Sequence, residues 1–204
     1  MTGGQAFPAA VGEQAEFDAP TRTIHLALAL LGIAALVSGQ FAHDYRDAVH
    51  PGFAVHRWIG IGMGAVLLAR FLWGFAGPRA LRFSQWLPVT KKRLSAVLQD
   101  IVLLRSLRLP ERTPHEGLAG LVQALGLLAF LWMAVSGAIL FAYLEPGARA
   151  MGWLRAVKEG HEGGQAVVLA YVGLHVGAVA LHSLAKRPIW RRMAFGPARR
   201  EAPR

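Results

Sequence analysis

Four stretches of this chain are apolar over the length of a membrane-crossing helix. They cover residues 21–41, 55–75, 117–143 and 161–184. A bilayer core takes about 20 mostly apolar residues in helical form, and a single segment can satisfy its own backbone polar groups there only as a helix. We therefore expect an all-α integral membrane protein, folded as a four-helix transmembrane bundle that forms one domain at 21–184.

The two ends of the chain differ from this apolar part. Residues 1–20 lack the basic start and the continuous apolar run of a signal peptide, so we interpret them as a polar N-terminal tail. Residues 185–204 form a basic C-terminal tail. The chain has no cysteine, which excludes disulfides, thiolate-ligated iron–sulfur clusters and covalently attached haem.

The basic residues indicate a membrane orientation rather than a nucleic-acid partner. The formal net charge is +10, but the cations lie mainly between the second and third apolar runs and after the fourth. Such clusters are typical of cytoplasmic segments, so we expect both termini and the long middle loop to face the cytoplasm. The clusters consist of Arg79, Arg82, Lys91, Lys92, Arg93, Arg105, Arg108 and Arg112 in the loop, and Lys186, Arg187, Arg191, Arg192, Arg199, Arg200 and Arg204 in the tail.

The middle loop contains one helical pattern of its own. In "KKRLSAVLQDIVLLRSLRLP" the apolar residues Leu94, Val97, Leu98, Ile101 and Leu104 recur at helical spacing. This pattern predicts an amphipathic helix that lies in the membrane interface between the second and third spans. A fifth, short buried helix is the alternative.

Four histidines fall at two depths of the predicted bundle. His161 begins the fourth span, and His175 lies fourteen residues further on, roughly 21 Å along a helix and rotated by only about 40°. His56 begins the second span, whereas His25 lies in the first turns of the first span. Because the spans alternate in direction, His56 and His161 share an outer level, and His25 and His175 share an inner, cytoplasmic level.

Facing imidazoles on different helices are what a six-coordinate haem iron needs. We therefore predict two non-covalent haems b, with His25, His56, His161 and His175 as axial ligands. Taken singly, a histidine near a helix end often has a structural role, with its ring half solvated in the membrane interface. His175 differs, because it lies in the middle of an apolar segment, where an ionisable group is costly and usually functional.

Further residues are candidates at the inner level. His182 shares a face with His175 and is the alternative ligand, although its depth, roughly 31 Å below His161, favours a propionate or quinone role. Arg70 would pair with a haem propionate or else extend to the interface. His115, beside Glu116, belongs to a quinone or proton pocket or caps the third span. His43 and His50 lie in an outer loop, where a metal site is conceivable but solvation is favoured.

Four phrases of the sequence carry a family resemblance. They are "RTIHLALALLGIAALVSG", "HRWIGIGMGAVLLARFLWGFAGPRALRF", "PHEGLAG" and "LHVGAVALHSLAKRPIWRRMAFG". Residues 22–196 resemble the bacterial cytochrome b561 family, which includes the cytochrome b subunits of nickel–iron hydrogenases and is similar to the membrane subunits of formate dehydrogenases. The resemblance implies a four-helix haem bundle of the bacterial inner membrane, with ligands matching His25, His56, His161 and His175, and electron exchange with quinone. It also implies a frequent homodimer.

The sequence therefore predicts a di-haem cytochrome that transfers electrons between the quinone pool and a periplasmic redox partner, such as a c-type cytochrome, a hydrogenase or a dehydrogenase. Two other classes stay open. One is a stand-alone oxidoreductase that exchanges electrons with superoxide or ferric chelates at the outer face. The other is a haem-free scaffold or transporter subunit whose histidines conduct protons.

Overall fold

The computed structural model describes residues 17–42, 51–110, 112, 115–145, 148–186 and 189–193. Within these ranges every regular element is helical, with short 3₁₀ turns at Arg79–Leu81 and Ile189–Arg192. The helices are α1 (Ala19–Gly39), α2 (Pro51–Ala76), α3 (Phe83–Trp86), α4 (Lys91–Arg105), α5 (Gly117–Tyr143) and α6 (Gly152–Leu184). The conceivable loop site at His43 and His50, and most of both predicted tails, lie outside the described residues.

The four long helices are the predicted membrane spans. The most apolar windows of α1, α2, α5 and α6 have mean hydropathies of 1.6, 1.7, 2.2 and 1.8, and at most 17% of any window is buried inside the protein. Apolar surface on this scale is stable against lipid hydrocarbon rather than water. The prediction of an all-helical four-helix membrane bundle is confirmed.

The helices pack in a row that follows the chain. α1 packs on α2, α2 on α5, and α5 on α6, whereas α6 is not packed closely against α1 or α2 in the described part of the chain. Glycines bring α6 close to α5: a Cβ on Gly126 would lie 2.2 Å from the Tyr171 ring, and one on Gly164 would lie 2.6 Å from Met133 Sδ. In the described part of the chain α6 is therefore held mainly by α5.

The prediction that the fourth helix begins at His161 is wrong. α6 begins at Gly152, nine residues before His161. Its first turns carry the (i, i+4) ion pairs Arg155–Glu159 and Lys158–Glu162, which favour helix on an exposed surface. His161 thus lies in the third turn of α6, and His56 lies in the second turn of α2 rather than at its beginning.

The predicted amphipathic helix is present as α4. Val97 is 2% exposed, whereas Leu94, Leu98 and Ile101 are each more than a third exposed. These exposed side chains contradict the alternative of a buried fifth helix. An exposed apolar face beside basic residues fits an interfacial helix, although its depth in the bilayer stays a prediction.

Asp100 attaches α4 to the bundle. It is 1% exposed, and its Oδ2 accepts a hydrogen bond of 2.8 Å from the backbone N–H of Leu118, while Oδ1 pairs with the Arg112 guanidinium. An N–H in the first turn of α5 has no partner within its own helix. A carboxylate from α4 therefore acts as the cap of α5 and also lies at the favourable end of its dipole.

Candidate metal centres

Two of the predicted ligands, His56 on α2 and His161 on α6, face each other. Their ring centroids are 6.2 Å apart and their planes cross at 73°. Both side chains are half-buried between the helices. We call these residues the His56–His161 pair.

Hydrogen bonds define which nitrogen of each ring carries the proton. His56 Nδ1 lies 3.1 Å from the backbone oxygen of Ala35, which can only accept, so this nitrogen must donate. Ser136 already donates its hydroxyl proton to Trp132 O at 2.6 Å, so its oxygen accepts from His161 Nδ1 at 2.8 Å. With the proton on Nδ1, each neutral ring keeps a lone pair on Nε2, the form that ligates a metal.

The partners of the two rings come from a repeated tripeptide, Val-Ser-Gly, at 37–39 and 135–137. Ser38 Oγ lies 3.1 Å from His56 Nδ1, as Ser136 Oγ does at 2.8 Å from His161 Nδ1. A Cβ on Gly39 would lie 3.4 Å from the His56 ring, and one on Gly137 would lie 3.2 Å from the His161 ring. Each serine thus orients a ring while the next glycine gives it room. Our sequence reasoning missed both serines, although the repeat was a visible signal.

The other two predicted ligands, His25 on α1 and His175 on α6, also face each other. Their ring centroids are again 6.2 Å apart, with planes at 50°. Tyr171, one turn before His175, stacks on it at 5.8 Å and 22°, and is itself held edge-on by Phe130. The alternative ligand His182 lies two turns further along α6. We call His25 and His175 the His25–His175 pair.

Arg70 lies near the His25–His175 pair. Its guanidinium is 5.4 Å from the Phe83 ring centroid and lies within electrostatic range of Tyr171. Among the described residues no acceptor is within hydrogen-bond reach of its buried Nη1. A buried guanidinium nitrogen of this kind requires an anion, and a haem carboxylate would supply one.

Arg57 is a second arginine of the same type, and the sequence reasoning did not select it. It adjoins His56, its Cζ lies 3.9 Å above the Phe141 ring, and its buried Nε has no acceptor among the described residues. The α2 helix therefore provides one partly buried cation beside each histidine pair.

The residues of both pairs fit a haem. A metal–imidazole bond is about 2 Å long and the ring centroid lies about 1 Å beyond the nitrogen, so trans imidazoles on one ion have centroids about 6 Å apart. No group of three or more His, Cys, Asp or Glu forms a cluster in the described part of the chain. Two nitrogens suffice as protein ligands only if a macrocycle supplies the remaining ones.

A separate cluster surrounds His115 at the beginning of α5. Its Nδ1 is hydrogen-bonded to the side-chain oxygen of Gln123, and its ring lies 5.7 Å from Trp86 and 5.4 Å from Phe17. Phe17 precedes α1 by two residues, so this cluster lies at the same end of the bundle as His25. Glu116 beside it is exposed.

Apolar helices that present two facing imidazole pairs define a class of protein, the membrane-bound b-type cytochromes. The chain belongs to the prokaryotic cytochrome b561 family, whose model matches residues 16–196. No curated protein and no solved structure matches it. Membership makes the chain a prokaryotic membrane cytochrome that binds b-type haem and functions in electron transfer. This contradicts the alternative of a haem-free scaffold or transporter subunit. The ligand assignment stays a prediction, since a family match tests no single residue.

Proposed function

We propose that this protein binds two haems b, one at the His56–His161 pair and one at the His25–His175 pair, and moves electrons across the membrane between quinone and a periplasmic redox partner. One observation carries the proposal: both pairs have the same centroid separation of 6.2 Å, which suits trans ligation. When bound, each haem would be held by the two imidazoles of its pair and would supply reversible one-electron chemistry.

The spacing of the pairs supports transfer across the bilayer. His161 and His175 are fourteen residues apart on one helix, roughly 21 Å, within a hydrocarbon core of about 30 Å. One redox centre per leaflet divides that distance into shorter steps. The chain itself holds the imidazoles in facing pairs on different helices; His25, His56 and His161 are half-buried and His175 is exposed.

The His115 cluster is the proposed quinone site. Quinol oxidation releases two electrons and two protons, so the site needs a hydrogen-bonding group for the quinone oxygen and a nearby proton carrier. His115 and Gln123 can provide the first, between the rings of Trp86 and Phe17. Glu116 and His182 are the proposed proton carriers at this end of the bundle.

The charge distribution supports an orientation. The cations concentrate in the loop that holds α3 and α4 and in the C-terminal tail, so we place both termini and the His25–His175 pair on the cytoplasmic side of a bacterial inner membrane. The periplasmic partner would then accept or donate electrons near the His56–His161 pair. A hydrogenase, a dehydrogenase or a c-type cytochrome would fit that role.

A haem count tests the proposal. The pyridine haemochrome of the purified wild-type protein should give two haems b per chain, and a count of one or none would refute the di-haem reading. His175→Ala should reduce the count to one, because one ligand of the His25–His175 pair is lost. The matched control His182→Ala should retain two; the reverse pattern would assign the ligand role to His182.

Quinone reactivity is tested on the same preparation. A short-chain quinol should reduce the wild-type haem, and His115→Ala should slow this reduction at least tenfold while dithionite still reduces all of the haem. Equal rates in both proteins would remove His115 from the quinone site and leave the haem assignment untouched.

A further inference from the structure

The two histidine pairs differ in what their Nδ1 atoms contact. Both rings of the His56–His161 pair donate Nδ1–H to an oxygen, at 3.1 Å for His56 and 2.8 Å for His161. Within the described residues neither ring of the His25–His175 pair has a hydrogen bond; the two rings contact each other, and Tyr171 stacks on His175. The pairs are thus equal in spacing and unequal in polarity.

Such hydrogen bonds change how strongly an imidazole donates to a metal. When Nδ1–H is hydrogen-bonded to an acceptor, electron density shifts toward Nε2 and the ring becomes the more basic ligand. A more basic ligand stabilises the ferric over the ferrous ion, which lowers the reduction potential. By this argument the His56–His161 pair favours the ferric state more than the His25–His175 pair does.

The nearby charges act in the same direction. Arg70 lies within electrostatic range of Tyr171, which stacks on His175, and its buried Nη1 has no acceptor among the described residues. A positive charge in a medium of low dielectric constant, even where it pairs with a haem carboxylate, opposes the more positive ferric ion and raises the reduction potential. Arg57 is the counterpart beside His56, but its Nη2 lies 3.5 Å from the Phe141 carbonyl, whose dipole offsets part of its charge.

Building on the di-haem function proposed above, we infer that Ser38 and Ser136 are positioning residues that lower the reduction potential at the His56–His161 pair below that at the His25–His175 pair. Each serine acts through the ring it contacts. An electron shared between the two levels then resides mainly at the His25–His175 pair, on the side of the His115 cluster.

The two serines contribute unequally. Ser136 Oγ is the acceptor for His161 Nδ1 and is 1% exposed, so water cannot easily replace it. His56 Nδ1 has the Ala35 carbonyl at 3.1 Å as well as Ser38 Oγ at 3.1 Å. Removing the Ser136 hydroxyl therefore leaves a ring without its acceptor, whereas removing the Ser38 hydroxyl leaves the carbonyl in place.

An equilibrium redox titration of the purified protein, followed in the visible haem bands, tests the inference. Ser136→Ala should raise the lower of the two potentials by up to about 59 mV, a tenfold change in the ferric-to-ferrous ratio of a one-electron couple. Ser38→Ala should raise the same potential by less. The matched control is Ser183→Ala, because Ser183 donates to Val179 O within α6 and has no hydrogen bond to a histidine among the described residues; it should shift neither potential.

The outcomes separate this inference from the function on which it rests. A haemochrome count of two in each variant shows that the di-haem assignment holds, and unchanged potentials in Ser136→Ala would then overturn the inference alone. A shift of the higher potential would overturn the proposed order. If Ser136→Ala loses one haem, Ser38→Ala becomes the deciding variant. Reduction potentials in Ser38→Ala equal to those in Ser183→Ala would then overturn the role of the serines. The g values of the ferric protein, which report ring orientation, should change in Ser136→Ala and not in the control.

Discussion

Replacing Asp100 by alanine should loosen the attachment of α4 to α5 and lower the free energy of unfolding. The variant loses the cap on the Leu118 N–H, a contribution of about 1 kcal/mol at typical helix starts. It also loses the ion pair with Arg112. Breaking a fully buried pair costs about 3–5 kcal/mol, but the Arg112 side chain is 26% exposed, so water can solvate the remaining charge and about 1 kcal/mol is the better figure.

The two losses together predict a decrease of about 2 kcal/mol. Unfolding of the detergent-solubilised protein by added dodecyl sulfate, followed by circular dichroism, measures it. The matched control is Glu159→Ala, which removes an ion pair whose partners are 67% and 58% exposed and should leave the free energy of unfolding nearly unchanged. If Asp100→Ala is no less stable than this control, the α4–α5 attachment does not depend on the carboxylate and the reasoning is wrong.

Three further predictions follow from the packing, the buried charge and the orientation. Gly126→Ala should destabilise the protein by about 1–3 kcal/mol, because its Cβ would overlap a tyrosine ring. The control Gly173→Ala should not destabilise it, because a Cβ there has no atom within 4 Å. Equal unfolding midpoints of the two variants in dodecyl sulfate would contradict the tight α5–α6 contact. Arg70→Leu should stabilise the haem-free protein by about 1 kcal/mol or more and weaken haem retention, and unchanged retention would argue against a propionate contact. Since the chain lacks cysteine, an impermeant maleimide should label Met151→Cys but not Ser106→Cys in intact cells, and the opposite pattern would reverse the proposed topology.

The four spans and the two levels of histidines could be predicted from the sequence because both depend on simple periodicity. Membrane length specifies how many apolar residues a span needs, and the helical rise converts residue numbers into depths. On this basis His25 was matched with His175, and His56 with His161, and the structure brings the same rings together. The start of α6 was missed because apolarity indicates where a helix enters lipid, not where the helix begins.

What the sequence did not predict depends on contacts between distant residues. Asp100 caps a helix that begins seventeen residues later, and no local pattern indicates this. The Val-Ser-Gly repeat was visible, but a serine near the end of a span usually bonds its own backbone, as Ser183 does. Only the register of α1 against α2, and of α5 against α6, shows that Ser38 and Ser136 each contact a histidine.

The one-sided support of α6 has a consequence for assembly. This helix supplies one imidazole to each pair, so a rigid tilt about its contact with α5 moves His161 and His175 together. If two haems bind as proposed, insertion of the first would restrict that tilt and so reduce the entropy that the second insertion must remove. Loading is therefore expected to be cooperative, with fully loaded and empty chains outnumbering half-loaded ones.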